Sequence, residues 1–153
     1  MRRENRRWDA EAKPLLRLLR AYVQEGAAPK VTLESGVDWS GMIQISRRHG
    51  VLPFVVLVLE KTGLIETLAP EMQFEMRAYV DQARYENRIK QMEFRKIAAL
   101  FAGANIPLIP LKGMGLTLTV YSKDPIRRMG DLDLLVRPED AARAKNILRR
   151  QRF

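Results

Sequence analysis

Two aspartates one residue apart, Asp131 and Asp133, stand in the stretch MGDLDLLV (residues 129–136), whose other residues suit a buried β-strand. Burying an ionised carboxylate without a partner is costly, so the pair demands either solvent or a cation. Side chains alternate along a strand, which puts Asp131 and Asp133 on one face, about 7 Å apart, and Leu132, Leu134 and Val136 on the other. Two carboxylates so spaced can reach one divalent ion or bridge two. Magnesium prefers hard oxygen ligands and is commonly held by one or two carboxylates plus substrate phosphates. A solvent-facing strand end would accommodate the same D-x-D with no metal, because motifs this short recur by chance.

A second element lies upstream. Lys112 and Gly113 follow a short β-prone run and precede a helical one. Free backbone N–H groups, the positive end of a helix dipole and the close approach that glycine permits make such a turn suited to anions. Lys112 adds a point charge for a phosphate. The G-x-x-x-x-G-K-[ST] spacing of a Walker P-loop is absent, and an ordinary glycine turn fits the same residues. Arg127 and Arg128, just before the acidic strand, can clamp phosphate oxygens, neutralise the aspartates or face solvent. Phosphate contact is the expectation for Arg127 and solvent exposure for Arg128.

The elements that must position these residues are mostly helical. Pro14 can open a helix with an apolar face of Leu15, Leu18, Leu19, Tyr22 and Val23, ended by Gly26. Residues 27–36 read as a loop. Asp38 is placed to cap a helix through Trp39, Met42, Ile43 and Ile45 that stops at Gly50. A short apolar helix is expected over residues 52–61, with Pro53 in its first turn. Pro70 opens a long helix to about residue 102, whose stripe runs through Met72, Met76, Tyr79, Val80 and Ala83, then Ile89, Met92, Leu100 and Phe101. From Gly103 the pattern changes. Residues 106–111 (IPLIPL) read as an edge strand because of their prolines, 116–121 as a short helix, 122–128 as a loop and 132–136 as a second strand. A last helix over residues 138–150 is acidic at its start and basic at its end, matching the helix dipole.

Composition narrows the class. At 153 residues and 46% hydrophobic the chain can build a core. It has no cysteine, which rules out disulfides and thiolate metal sites and fits a cytoplasmic location. The basic start has no apolar segment of a secretory signal behind it. The longest apolar run, VLPFVVLVL at 51–59, is far short of the roughly 20 residues of a membrane span. The formal charge of +9 favours polyanionic partners. No aromatic residues interleave with the arginines as in a single-strand groove.

The segment PLKGMGLTLTVYSKDPIRRMGDLDLLVRPEDAARAKNIL (residues 110–148) resembles the bacterial uncharacterised nucleotidyltransferase family, within the DNA polymerase β-like nucleotidyltransferase superfamily. The family pattern is an LKG turn, a short helix ending in tyrosine, an arginine, then D-[IL]-D-L-L-V and a helix. Upstream, DWSGMIQISRRHGVLP (residues 38–53) is similar to its helical N-terminal region. The resemblance implies an α+β fold: a helical N-terminal region over residues 1–103, followed over residues 104–153 by a truncated polymerase β-like nucleotidyltransferase core with few strands.

It further implies Mg2+-dependent transfer of a nucleoside monophosphate from a nucleoside triphosphate to an acceptor, which could be a protein, a small molecule or RNA. Asp131 and Asp133 would be the catalytic, metal-binding pair, and Lys112, Gly113 and Arg127 the phosphate-binding residues. Two metal ions are expected in the complete enzyme, with Mn2+ able to replace Mg2+. Lys112 takes a position where many relatives outside the family have glycine, and Arg128 one where proline is common. His49 matches a family histidine of unassigned role and suits a helix C-terminus.

The superfamily's third carboxylate, on a following strand, has no counterpart in this sequence, so a partial core with weak or no activity is expected. Unpaired sheet edges would allow self-association. Two other readings stand beside this one. A non-catalytic basic module binding RNA or protein, an antitoxin-like relic of a transferase, explains the charge but gives the aspartates no role. A D-x-D glycosyltransferase is disfavoured by the helices preceding the motif.

Overall fold

In the computed structural model, residues 2–24, 31–121 and 126–153 are described, with side chains of the first helix from Ala12 onward. Six α-helices are present among these residues: α1 (Arg2–Val23), α2 (Trp39–Arg48), α3 (Leu52–Thr62), α4 (Pro70–Gly103), α5 (Lys112–Thr119) and α6 (Ala141–Arg150). Short 3-10 turns at Leu64–Thr67 and Pro138–Asp140 precede α4 and α6. Two strands, β1 (Ile109–Pro110) and β2 (Leu134–Leu135), pair antiparallel, so the chain is α+β.

Most of the expected helices form, and their caps explain why. The Asp38 carboxylate accepts from the Gly41 N–H at 3.0 Å, satisfying one donor that α2 leaves open. His49 is exposed at the C-terminus of α2, where its N–H donates back to the Ile45 carbonyl at 3.0 Å. α1 starts at Arg2 rather than at Pro14, which is buried within the helix. Pro14 removes one N–H and crowds the preceding turn, but the Arg, Glu and Ala residues before it favour helix strongly enough to continue. Gly26, expected to end that helix, lies outside the described residues, as do 27–30 and 122–125.

The chain divides into two compact units, Met1–Ala83 and Arg84–Phe153. In the first, α3 is apolar nearly all round, which requires burial on every side. Leu52, Val55, Val56, Val58 and Leu59 are at most 1% exposed. Leu15 and Leu18 of α1, Met42 and Ile43 of α2, and Met76, Val80 and Ala83 of α4 are buried with them. Tyr22 meets Phe54 edge-on at 4.8 Å, and the Arg47 guanidinium lies 5.4 Å from the Tyr79 ring centre.

The core of the second unit is formed by Ile97, Phe101, Ile106 and Ala144, with Leu132, Leu134, Val136, Ile147 and Leu148 packed against them. The division falls within α4, before the change of sequence pattern at Gly103, because Ile97 and Phe101 belong to this second core. The buried stripe of α4 runs Met76, Val80, Ala83, Asn87, Ile97, Phe101. Ile89 and Met92 fall out of phase with it and are 39% and 53% exposed.

Charge is divided unevenly between the units. Residues 1–83 hold 12 Lys and Arg against 11 Asp and Glu, a balance of +1. Residues 84–153 hold 15 against 7, a balance of +8. Nearly all the net positive charge therefore belongs to the unit that carries Asp131 and Asp133.

Candidate functional site

The site is built on one short strand pairing. Ile109 lies opposite Leu135 and Pro110 opposite Leu134. The ladder extends one step further, because the Leu111 N–H donates to the Asp133 carbonyl at 2.8 Å. The strands are shorter than the expected 106–111 and 132–136. Pro107 and Pro110 have no N–H to give to a ladder, which limits pairing on β1.

The expected alternation holds across 131–136. Leu132, Leu134 and Val136 pack against the core, while Asp131 and Leu135 are exposed and the Asp133 side chain is 35% exposed. A slip of one residue would drive both aspartates into the core and the leucines out, so burial fixes the register.

Pairing of Leu111 with Asp133 brings the next residue, Lys112, beside the acidic motif. Lys112 Nζ lies 3.0 Å from Asp133 Oδ1. The backbone of Lys112 is left-handed, with φ of 44°, a conformation that favours glycine and costs a lysine on the order of 1–3 kcal/mol. α5 begins at Lys112 itself rather than after the turn, so the lysine stands at the helix N-terminus.

Both glycines of the KGMG turn are needed for packing. Gly113 is buried, and a Cβ there would lie 2.9 Å from Met129 Cβ and 3.0 Å from Arg127 Nη1. Residues 127–129 thus close directly over the turn, with the Arg127 guanidinium at Gly113. A Cβ on Gly115 would lie 2.8 Å from the Pro110 carbonyl oxygen, so β1 and α5 meet backbone to backbone. The role of Gly115 was not evident from the sequence, although a second glycine inside an eight-residue helix is the signal for such an approach.

Lys112, Gly113, Arg127 and Asp133 are therefore gathered at one place, and Asp131 lies two residues along on the exposed side. Asp131 makes no hydrogen bond or ion pair among the described residues, and Arg127 no ion pair. Arg128 is exposed, as expected, and it also pairs with α4. Its Nε and Nη2 donate to Glu86 Oε2 and Oε1 of α4 at 2.9 and 3.0 Å. Among the described residues, neither Glu139 nor Asp140 makes a hydrogen bond or ion pair with the motif, and Asp140 is instead buried against Arg143 at 3.2 Å.

The donor set suits a hard divalent cation. Asp133 already engages a positive charge, the Lys112 ammonium, and Asp131 supplies a second carboxylate. Two carboxylates leave room for phosphate oxygens and water, as magnesium sites commonly do. No group of three or more His, Cys, Asp or Glu able to hold a metal occurs among the described residues.

The chain is α+β, and its β1–β2 pairing brings the KG turn beside the D-x-D motif. The chain belongs to the uncharacterised nucleotidyltransferase family, whose model matches residues 35–153. Comparisons with curated proteins and with solved structures gave no significant match. Among the described residues no helix is long and apolar enough to cross a membrane.

Proposed function

We propose that residues 112–136 bind a divalent-metal complex of a nucleoside triphosphate, and that the reaction served is transfer of its nucleoside monophosphate to an acceptor. The observation that carries this reading is the β1–β2 pairing, which sets the Asp133 carboxylate against Lys112 at the start of α5. Asp131 and Asp133 would hold Mg2+, or Mn2+ in its place. When bound, the metal neutralises charge on the triphosphate and on the departing pyrophosphate.

The chain's own groups account for binding and orientation. The N-terminal N–H groups of α5 and the Lys112 ammonium attract phosphate oxygens. Arg127, half-buried at Gly113, adds a planar set of donors that suits phosphate. Gly113 keeps the covering residues 127–129 close enough for Arg127 and the acidic motif to face the same ligand. The acceptor oxygen would attack the α-phosphorus as the bond to pyrophosphate breaks, and its proton must go to a base. No third carboxylate among the described residues joins the pair, so nucleotide binding is the expected property of this chain and turnover is expected to be weak or absent. Protein, small-molecule and RNA acceptors remain equally compatible with these residues.

Calorimetric titration with the Mg2+ complexes of ATP, GTP, CTP and UTP tests the reading. Binding of at least one, abolished in the Asp131→Asn/Asp133→Asn double variant with the fold intact, is expected. Absence of binding by the folded wild-type chain, or binding indifferent to the double variant, would rule it out.

The charge balance of +8 in residues 84–153 favours a second reading, a basic module that binds RNA without catalysis. Its mark would be salt-dependent RNA binding that the double variant leaves unchanged.

A further inference from the structure

We propose that Lys112 is an internal stand-in for the divalent cation: its ammonium rests on Asp133 until a metal–triphosphate arrives, then passes to the phosphates. Metal and triphosphate would consequently bind as a pair, with metal alone held weakly. This rests on the nucleotide-site reading above and concerns how that site fills.

Three observations support the handover. The ammonium is 3.0 Å from Asp133 Oδ1, at the carboxylate that would otherwise receive the metal. The lysine side chain is 73% exposed, so the ion pair is weak and its ammonium can leave without crossing a packed interior. Its backbone is left-handed at φ 44°, where glycine would be unstrained. A strained lysine at that position indicates that the side chain has a use which the turn alone does not explain.

The electrostatics give the handover a direction. A divalent cation on Asp133 repels the ammonium, whereas a triphosphate beside it supplies several anionic oxygens. Without triphosphate, the metal takes up the carboxylate charge that held the ammonium and the lysine is released to solvent, so displacement opposes metal binding. With triphosphate present, the same ammonium contributes to the complex. One residue thus lowers affinity for bare metal and raises it for metal bound to phosphate.

The test uses Mn2+, whose free form is counted by electron paramagnetic resonance, and inorganic triphosphate, which removes any dependence on the base. Wild type, Lys112→Met, Lys112→Gly, Asp133→Asn and the Lys112→Met/Asp133→Asn pair are compared, with circular dichroism to verify folding. Glycine suits the backbone and methionine keeps the side-chain bulk, so agreement between them isolates the charge. Both Lys112 variants are expected to bind Mn2+ alone about two- to fivefold more tightly than wild type, the range an exposed ion pair allows. Asp133→Asn should weaken Mn2+ binding and remove that gain. For Mn2+–triphosphate the order should reverse, with both Lys112 variants about tenfold weaker than wild type.

Unchanged or weaker Mn2+ binding in the Lys112 variants, alongside weakening by Asp133→Asn, would overturn the handover and leave the two-carboxylate site standing. Tighter Mn2+ binding with no loss for Mn2+–triphosphate would also overturn it, since the lysine would then only obstruct the metal. Mn2+ binding absent throughout, or indifferent to Asp133→Asn, would remove the site reading and the handover together.

Discussion

Arg128 grips Glu86 at two points, across 42 residues of sequence, and so ties the segment before the acidic motif to α4. This bidentate pair belongs to the same short stretch as Arg127 and Met129, which close over Gly113. Its effect on the site is through placement.

Breaking this pair should therefore weaken nucleotide binding more than it weakens the fold. Both side chains are part exposed, 42% and 31%, so a double-mutant cycle of Arg128→Ala and Glu86→Ala should give a coupling of only about 0.5–1 kcal/mol in stability. Metal–nucleotide affinity, measured by calorimetry on the same variants, should fall severalfold in either single variant. Unaltered affinity would show that the tie does not order the site.

Gly113→Ala should cost about 1–3 kcal/mol, because the added carbon meets Met129 Cβ at 2.9 Å. Adding Met129→Gly removes that neighbour and leaves, of the nearest contacts, the end of the Arg127 side chain. Denaturant unfolding should show the two changes costing less together than the sum of their separate costs. Strict additivity would mean that the close approach is not what demands glycine at 113.

Asp140 should behave as a structural acid. It is buried beside Arg143, whose Nη2 also donates to the Ala104 carbonyl at 2.8 Å beyond the end of α4. Asp140→Asn should lower stability by about 0.5–1 kcal/mol, a modest effect because Arg143 is 59% exposed. Nucleotide affinity in the folded variant should match wild type. A binding loss equal to that of Asp133→Asn would place Asp140 in the site instead.

Affinity for single-stranded RNA should drop steeply with salt if the positive balance of residues 84–153 acts on polyanions. Arg149, Arg150 and Arg152 are exposed at the end of α6. Replacing all three by Gln should flatten the plot of log affinity against log salt in fluorescence anisotropy. An unchanged slope would show that these arginines do not meet the phosphates.

Much of this was legible before the fold was known, and what was hidden has physical causes. The alternation in MGDLDLLV identified a leucine face and an acidic face because a strand has a period of two. The extent of the strands was not legible, since pairing depends on both partners and β1 carries prolines that cannot donate. In α4 the apolar residues Ile89 and Met92 suggested a stripe, yet phase decided the matter and the polar Asn87 is the buried residue. The exposure of Arg128 was legible from its place in a polar loop, whereas its pairing was not, since Glu86 lies 42 residues away and meets it only through the fold. Lys112 was read as a phosphate ligand from its neighbours, while its ion pair with Asp133 required the strand register.

The two glycines of the KGMG turn differ in how freely they can be exchanged over evolutionary time. Gly113 faces side chains, and a side chain can change to make room. Gly115 faces the carbonyl oxygen of Pro110, an atom that every residue type possesses. No compensating substitution at position 110 can relieve that approach, so drift at 115 has no remedy short of parting β1 from α5.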